Sequence, residues 1–175
     1  MKSLLNLYTQ FRQARHTFHF MAIATLAFVL IVSAFVIEHG FGAQPCHLCW
    51  HARYGHWAML FLALVGFVAP QKYHVFMLKS LFLAALYGFG LGIYHSLVQA
   101  KVIAGPSGCS GAQALPTDIK SFNQFLANPT LPPRCDEASF YILGASLPVW
   151  NIITMAFLML VIYDVLRISK NQQEK

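Results

Sequence analysis

Two cysteines separated by two residues, Cys46-His47-Leu48-Cys49, can cycle between a dithiol and a disulfide, because that gap lets the sulfurs meet. They fall where one apolar stretch ends and the next begins. A redox pair so placed can pass electrons between water-borne thiols and an acceptor dissolved in lipid. At the start of a helix, free N–H groups and the helix dipole favour a thiolate. Arg53 follows Cys49 by one helical turn and shares its face. A guanidinium near the membrane boundary is costly unless it has a partner or a task. It can stabilise a Cys49 thiolate, or donate hydrogen bonds to a quinone carbonyl, which gains negative charge on reduction. Cys109 and Cys135 complete an even set of four cysteines.

Other readings of these residues are open at this level. Cys46 and Cys49 can ligate zinc with His47 or His51. No second compact ligand pair follows, however, so no metal is expected. Trp50 rather than His follows Cys49, which is not the haem-attachment pattern. A purely structural disulfide across a two-residue gap would stabilise little. A bond between Cys109 and Cys135 would stabilise their loop by roughly 3–4 kcal/mol in the chain-entropy picture, so a staple is a fair alternative there. The Gly- and Pro-rich flanks favour exchange instead, since a movable disulfide can be attacked by a thiolate from a visiting protein. His39, His56 and His95 are expected near the same face, one on each of the first three helices, and ligation of haem between helices is the functional alternative. His95 is the best placed, closing the third span after Tyr94. Phe89, Tyr94, Phe140 and Trp150 suit the flanks of a planar ligand, although interfacial belts use the same residue types.

The elements that hold these residues belong to a membrane. Of the 175 residues, 57% are hydrophobic and only 10% charged, against about 25% charged in a soluble domain. The chain reads as one all-α domain with four spans, about 18–37, 54–69, 75–98 and 148–168. The second is short against the ~20 residues a crossing needs, and residues 50–53 are expected to extend it into the headgroup zone. The formal charge of +6 does not point to nucleic acid, because the basic residues are scattered toward span ends. Lys2, Arg12, Arg15, Lys72, Arg167, Lys170 and Lys175 fall on one side, with Lys79 able to snorkel there. Only Arg53, Lys101, Lys120 and Arg134 fall on the other. That bias predicts both termini in the cytoplasm and both cysteine pairs outside, where a bacterium's periplasm keeps disulfides. The outer segments are about 38–53 and 99–147. Within the longer one, Leu115, Ile119, Phe122 and Leu126 recur at helical spacing behind Thr117 and Asp118, which predicts a short amphipathic interfacial helix.

The combined pattern resembles the DsbB family of bacterial inner-membrane disulfide-generating enzymes. The resemblance rests on Pro45-Cys46-His47-Leu48-Cys49 with Arg53, on His95, on Cys109 and Cys135, and on Leu143-Gly144 followed by Leu147-Pro148-Val149-Trp150. It implies a four-transmembrane-helix bundle in the inner membrane, multi-pass, and a bound quinone (ubiquinone or menaquinone). It also implies disulfides Cys46–Cys49 and Cys109–Cys135 as redox centres. A periplasmic thioredoxin-fold dithiol oxidase resembling DsbA would attack Cys109, Cys135 would attack Cys46, and Cys49 would meet the quinone, with Arg53 and His95 beside it. Ala52 departs from an acidic residue seen in some members before the arginine. Vitamin K epoxide reductase-like enzymes share the four helices and the cysteine types, but their loop pair usually precedes the Cys-x-x-C. A haem-carrying electron carrier and a structural membrane subunit are the rivals from other classes.

Overall fold

The computed structural model describes residues 2–106, 109 and 133–171. The predicted interfacial helix lies outside the described residues. Among the described residues there are four long helices: α1 (Lys2–Phe41), α2 (His47–Val68), α3 (His74–Gln99) and α4 (Leu147–Asn171). They pack in sequence order, α1 on α2, α2 on α3, and α3 on α4. A short hairpin precedes α4, with β1 (Tyr141–Ile142) antiparallel to β2 (Ala145–Ser146).

Among the described residues, three segments are long and apolar enough to cross a membrane: Thr17–Phe41, Gln71–Gln99 and Leu147–Arg167. The helix α2 is not among them, because its first half carries His47, His51, Arg53 and His56. The helices also overrun the apolar stretches. A helix satisfies its backbone hydrogen bonds internally, so it need not stop where the hydrocarbon stops. Between α1 and α2 only residues 42–46 remain, opened by Gly42 at φ +71°. Such a left-handed φ is inexpensive only for glycine.

The core runs along the bundle axis through Phe20, Ile23 and Ala27 of α1, Met59 and Ala63 of α2, Leu78, Leu81 and Ala85 of α3, and Met155, Leu158 and Ile162 of α4. Outward faces carry Phe28, Phe61, Phe76, Leu83, Phe157 and Leu160, all exposed. Helices that are apolar on every side suit lipid rather than water. Small residues let the backbones approach. Gly88 and Gly92 of α3 lie against Met155, Asn151 and Ile152 of α4, and Asn151 Nδ2 donates to the Gly88 carbonyl at 2.8 Å. This is the close packing that drives helix association without a hydrophobic force from solvent.

The turn between α2 and α3 is tight. Pro70 keeps Ala69 extended and ends α2, and His74 donates from Nε2 to the Ala69 carbonyl at 3.0 Å. At the opposite end of the bundle, α3 stops with Lys101 at φ 58°. Val102 N–H bonds Leu97 O and Lys101 N–H bonds Val98 O, a glycine-type helix stop made by a lysine. Leu143 (φ 51°) and Gly144 (φ 81°) form the hairpin turn, since a two-residue turn matching strand twist needs positive φ at both positions. Trp150 then donates from Nε1 to Ile142 O at 3.0 Å, tying the hairpin to α4.

Candidate functional site

The site gathers at the end of the bundle away from the α2–α3 turn, ahead of the apolar half of α2. Pro45 delivers the chain to Cys46, which caps α2 in an extended conformation (φ −74°, ψ 173°). Its sulfur accepts the Cys49 N–H at 3.3 Å, taking the place of the usual hydroxyl or carboxylate cap. The two sulfurs lie 2.7 Å apart, both as free cysteines. His95, buried on α3, brings Nε2 to 3.6 Å from Cys46 Sγ. These contacts act unequally on the two thiols. The Cys49 side-chain hydrogen bond draws the Cys46 pKa down to about 4, burial opposes it, and His95 adds to the lowering. Cys49 moves the other way, raised first by its hydrogen bond to Cys46 and then by burial, with Arg53 only weakly opposing. The sequence left Arg53 either a Cys49 thiolate or a quinone carbonyl to serve; in the dithiol the contacts of Cys46 with the Cys49 N–H, the Cys49 thiol and His95 favour a thiolate on Cys46.

Cys109 and Cys135 are joined by a disulfide and are fully buried. The Cys135 N–H also bonds the Cys109 carbonyl at 2.9 Å. With Leu48 and Val98 they form one buried cluster that includes Cys46. The other side of the dithiol meets a cavity of about 340 Å³ whose wall contains Cys49, Arg53, His56, His95 and Trp150, with Leu30, Ile31 and Ile37 of α1. The volume falls within the range of small-molecule sites. The lining is largely apolar, with a few polar groups at one end. Trp150 is the one member of the aromatic quartet in that wall. Phe140 stacks on Phe41 at 5.3 Å, and the Tyr94 hydroxyl donates to Ala104 O. His39 and His56 each direct Nδ1 to a carbonyl of their own helix, at 3.1 and 2.7 Å.

Sequence reasoning missed one residue. Glu38, near the end of α1, accepts from Arg53 Nη1 at 2.5 Å, and both side chains are largely buried. Ala52 leaves α2 without a carboxylate beside the arginine, and α1 supplies one. The available signal was an acid at the end of an apolar stretch in a chain with only six acidic residues. Also unseen was that His95 joins the cysteine pair. Cys46, Cys49 and His95 offer three ligand atoms within 4.8 Å of one another. A tetrahedral zinc site takes four ligands, commonly all from protein when structural, and no fourth of these types joins them among the described residues.

A reactive dithiol packed against a disulfide, at the end of a helix bundle with apolar outer faces, defines a membrane thiol–disulfide oxidoreductase. The family described as "Disulfide bond formation protein DsbB" matches residues 15–164. Among curated proteins, the disulfide bond formation protein B of Aeromonas hydrophila is 30% identical over 155 residues, covering 86% of this chain and 87% of that protein. Its namesake in Haemophilus influenzae is 28% identical over 165 residues, covering 91% and 89%. That of Actinobacillus pleuropneumoniae is 27% identical over 154 residues, covering 83% of each. The chain belongs to the DsbB family. It is accordingly a disulfide-generating oxidoreductase of the membrane.

Proposed function

We propose that this protein reoxidises a periplasmic thioredoxin-fold dithiol partner and delivers the electrons to a quinone, ubiquinone or menaquinone, held in the cavity beside Cys49. In this reading α2 is the fourth span, and both termini lie in the cytoplasm of a bacterial inner-membrane protein. The observation that carries it is the two-sidedness of the dithiol: Cys46 packs with Cys109 and Cys135, while Cys49 stands in the cavity wall.

The sulfur steps balance. A partner thiolate attacks Cys109, and Cys135 leaves as a thiolate. The second partner thiol then resolves the mixed disulfide, so the partner is oxidised and Cys109 and Cys135 are reduced. Cys135 attacks Cys46 in its disulfide with Cys49, and Cys49 leaves. Cys109 next attacks Cys135, restoring their bond and releasing Cys46. A low-pKa thiol is a good leaving group, and Cys46 is lowered to about 4. The Cys46–Cys49 pair is now reduced by two electrons, with Cys46 left as a thiolate and one proton carried by Cys49; the second proton is drawn from water when the acceptor is reduced.

The cavity fits a planar carbonyl acceptor. Its apolar walls suit a ring and lipid tail, Arg53 supplies N–H donors, and Cys49 stands in the wall. A quinone held there by Arg53 and the apolar walls would supply the two-electron, two-proton acceptor for the reduced Cys46–Cys49 pair. Arg53 favours negative charge on an oxygen placed against it. His95 keeps a nitrogen on Cys46, where it stabilises the thiolate. The apolar walls keep water from Cys49.

The test is turnover of a reduced thioredoxin-fold partner by purified protein in lipid, with quinol and disulfide appearing in equal amounts. Changing any of Cys46, Cys49, Cys109 or Cys135 to Ser is expected to abolish it. Wild-type turnover in Cys46→Ser excludes the mechanism.

A further inference from the structure

Arg53 faces a largely apolar cavity, and a guanidinium there gives up hydration that apolar walls do not return. The groups that compensate it come mainly from α1. Glu38 accepts from Nη1 at 2.5 Å, with the Glu38 side chain only 15% exposed. One turn earlier, the Ala34 carbonyl accepts from Nη2 at 3.2 Å. The Phe35 ring of α1 and the Trp50 ring of α2 lie 5.0 and 4.9 Å from the guanidinium carbon. A guanidinium has five N–H donors. The two bonds to α1 leave donors free for an oxygen in the cavity, whose wall includes Arg53.

We propose that Glu38 is the positioning residue for Arg53: its carboxylate fixes the orientation of the guanidinium, so that a quinone oxygen meets donors already in place. The inference rests on the quinone reading of the cavity given above. An arginine stem is long and snorkels toward water when nothing holds its head. The site lies at the end of α1, where polar headgroups are within reach of such a swing. Donors held in advance bind an oxygen more tightly than donors that must first be recruited. The carboxylate also offsets the cation's charge, so the cavity admits an uncharged ring without leaving a buried cation unpaired.

A carboxylate that merely clamps α1 to α2 would leave quinone affinity alone, which separates the two roles. The test uses the full-length protein in lipid nanodiscs. Equilibrium Kd values for decyl-ubiquinone and menadione are read from tryptophan quenching, alongside quinone KM in dithiol oxidation. The variants are Glu38→Gln, Glu38→Ala, Arg53→Ala and the Glu38→Ala/Arg53→Ala double change. Losing a hydrogen bond between charged groups corresponds to at least about a tenfold rise in Kd and KM for Glu38→Ala. Glu38→Gln, which keeps an acceptor oxygen but loses the charge, falls between wild type and Glu38→Ala, and carries the test if the alanine variant does not fold. In the double variant, Kd matches Arg53→Ala alone, because one residue acts through the other. Single-turnover exchange of a partner dithiol with Cys109–Cys135, run without quinone, keeps its wild-type rate in Glu38→Gln. Unmoved Kd values in the Glu38 variants, or a full Glu38 effect persisting in the Arg53→Ala background, overturn the positioning role. A wild type that binds neither quinone overturns the reading of the cavity as well.

Discussion

The cysteine pair is asymmetric before any partner arrives. Cys46 receives the Cys49 N–H, the Cys49 thiol and His95, while the half-buried Cys49 donates its own hydrogen. A stabilised thiolate favours the reduced pair and makes its disulfide a stronger oxidant, since a two-electron couple gains about 30 mV for each 1.4 kcal/mol. The sign in pH follows. Lowered to about 4, Cys46 remains ionised from neutral pH down past pH 5 and is protonated only as pH falls through about 4. An unperturbed thiol titrates near 8.5. The ultraviolet thiolate absorbance of the reduced protein is therefore expected to hold between pH 8 and pH 5, and to vanish in Cys46→Ser over that range. A wild-type signal already lost by pH 7 contradicts the assignment. His95→Ala removes a smaller contribution than Cys49→Ser, because the Cys49 hydrogen bond is the largest cause of the shift.

Helices, rather than loops, set most of the site geometry, and this decides what was legible in the chain. The Cys46–Cys49 spacing, the one-turn offset to Arg53 and the apolar stretches that became α1, α3 and α4 are local patterns, readable because a helix has a fixed period. The Glu38–Arg53 pair and the His95–Cys46 contact depend on how α1 and α3 are rotated against α2. No local pattern states that rotation; it is set by side chains along the whole interface. The polar half of α2 was legible as a short span, for the same reason that the helix is absent from the long apolar segments. Rotation in turn depends on close approach at glycines. A Cβ on Gly66 of α2 would stand 2.5 Å from the fully buried Phe20 ring of α1. Gly66→Ala is expected to destabilise the bundle by about 1–3 kcal/mol through overpacking, outweighing the roughly 1 kcal/mol helix-propensity gain. Gly90→Ala on α3, where nothing lies within 4 Å, gains propensity without the clash and serves as the control. Thermal unfolding in detergent compares them; equal midpoints for the two variants would mean α1 and α2 are not in tight contact.

For the molecule as a whole, the proposed topology puts the two ends of the bundle in different compartments. Lys72 lies in the inner turn and is exposed, and Leu143, 92% exposed, forms the hairpin tip at the other end. In a cysteine-free background, an impermeant maleimide applied to intact spheroplasts is expected to label Leu143→Cys at once. Lys72→Cys is expected to react only after permeabilisation. The reverse order would invert the molecule and place its sulfur chemistry in a reducing compartment. One feature of the outer end shapes how the protein behaves between encounters. With Cys109, Cys135 and Cys46 all buried, a small thiol such as glutathione does not reach the Cys109–Cys135 disulfide or Cys46 directly. Oxidising equivalents are thereby insulated rather than leaked, and discharge waits for a protein partner whose docking uncovers the disulfide.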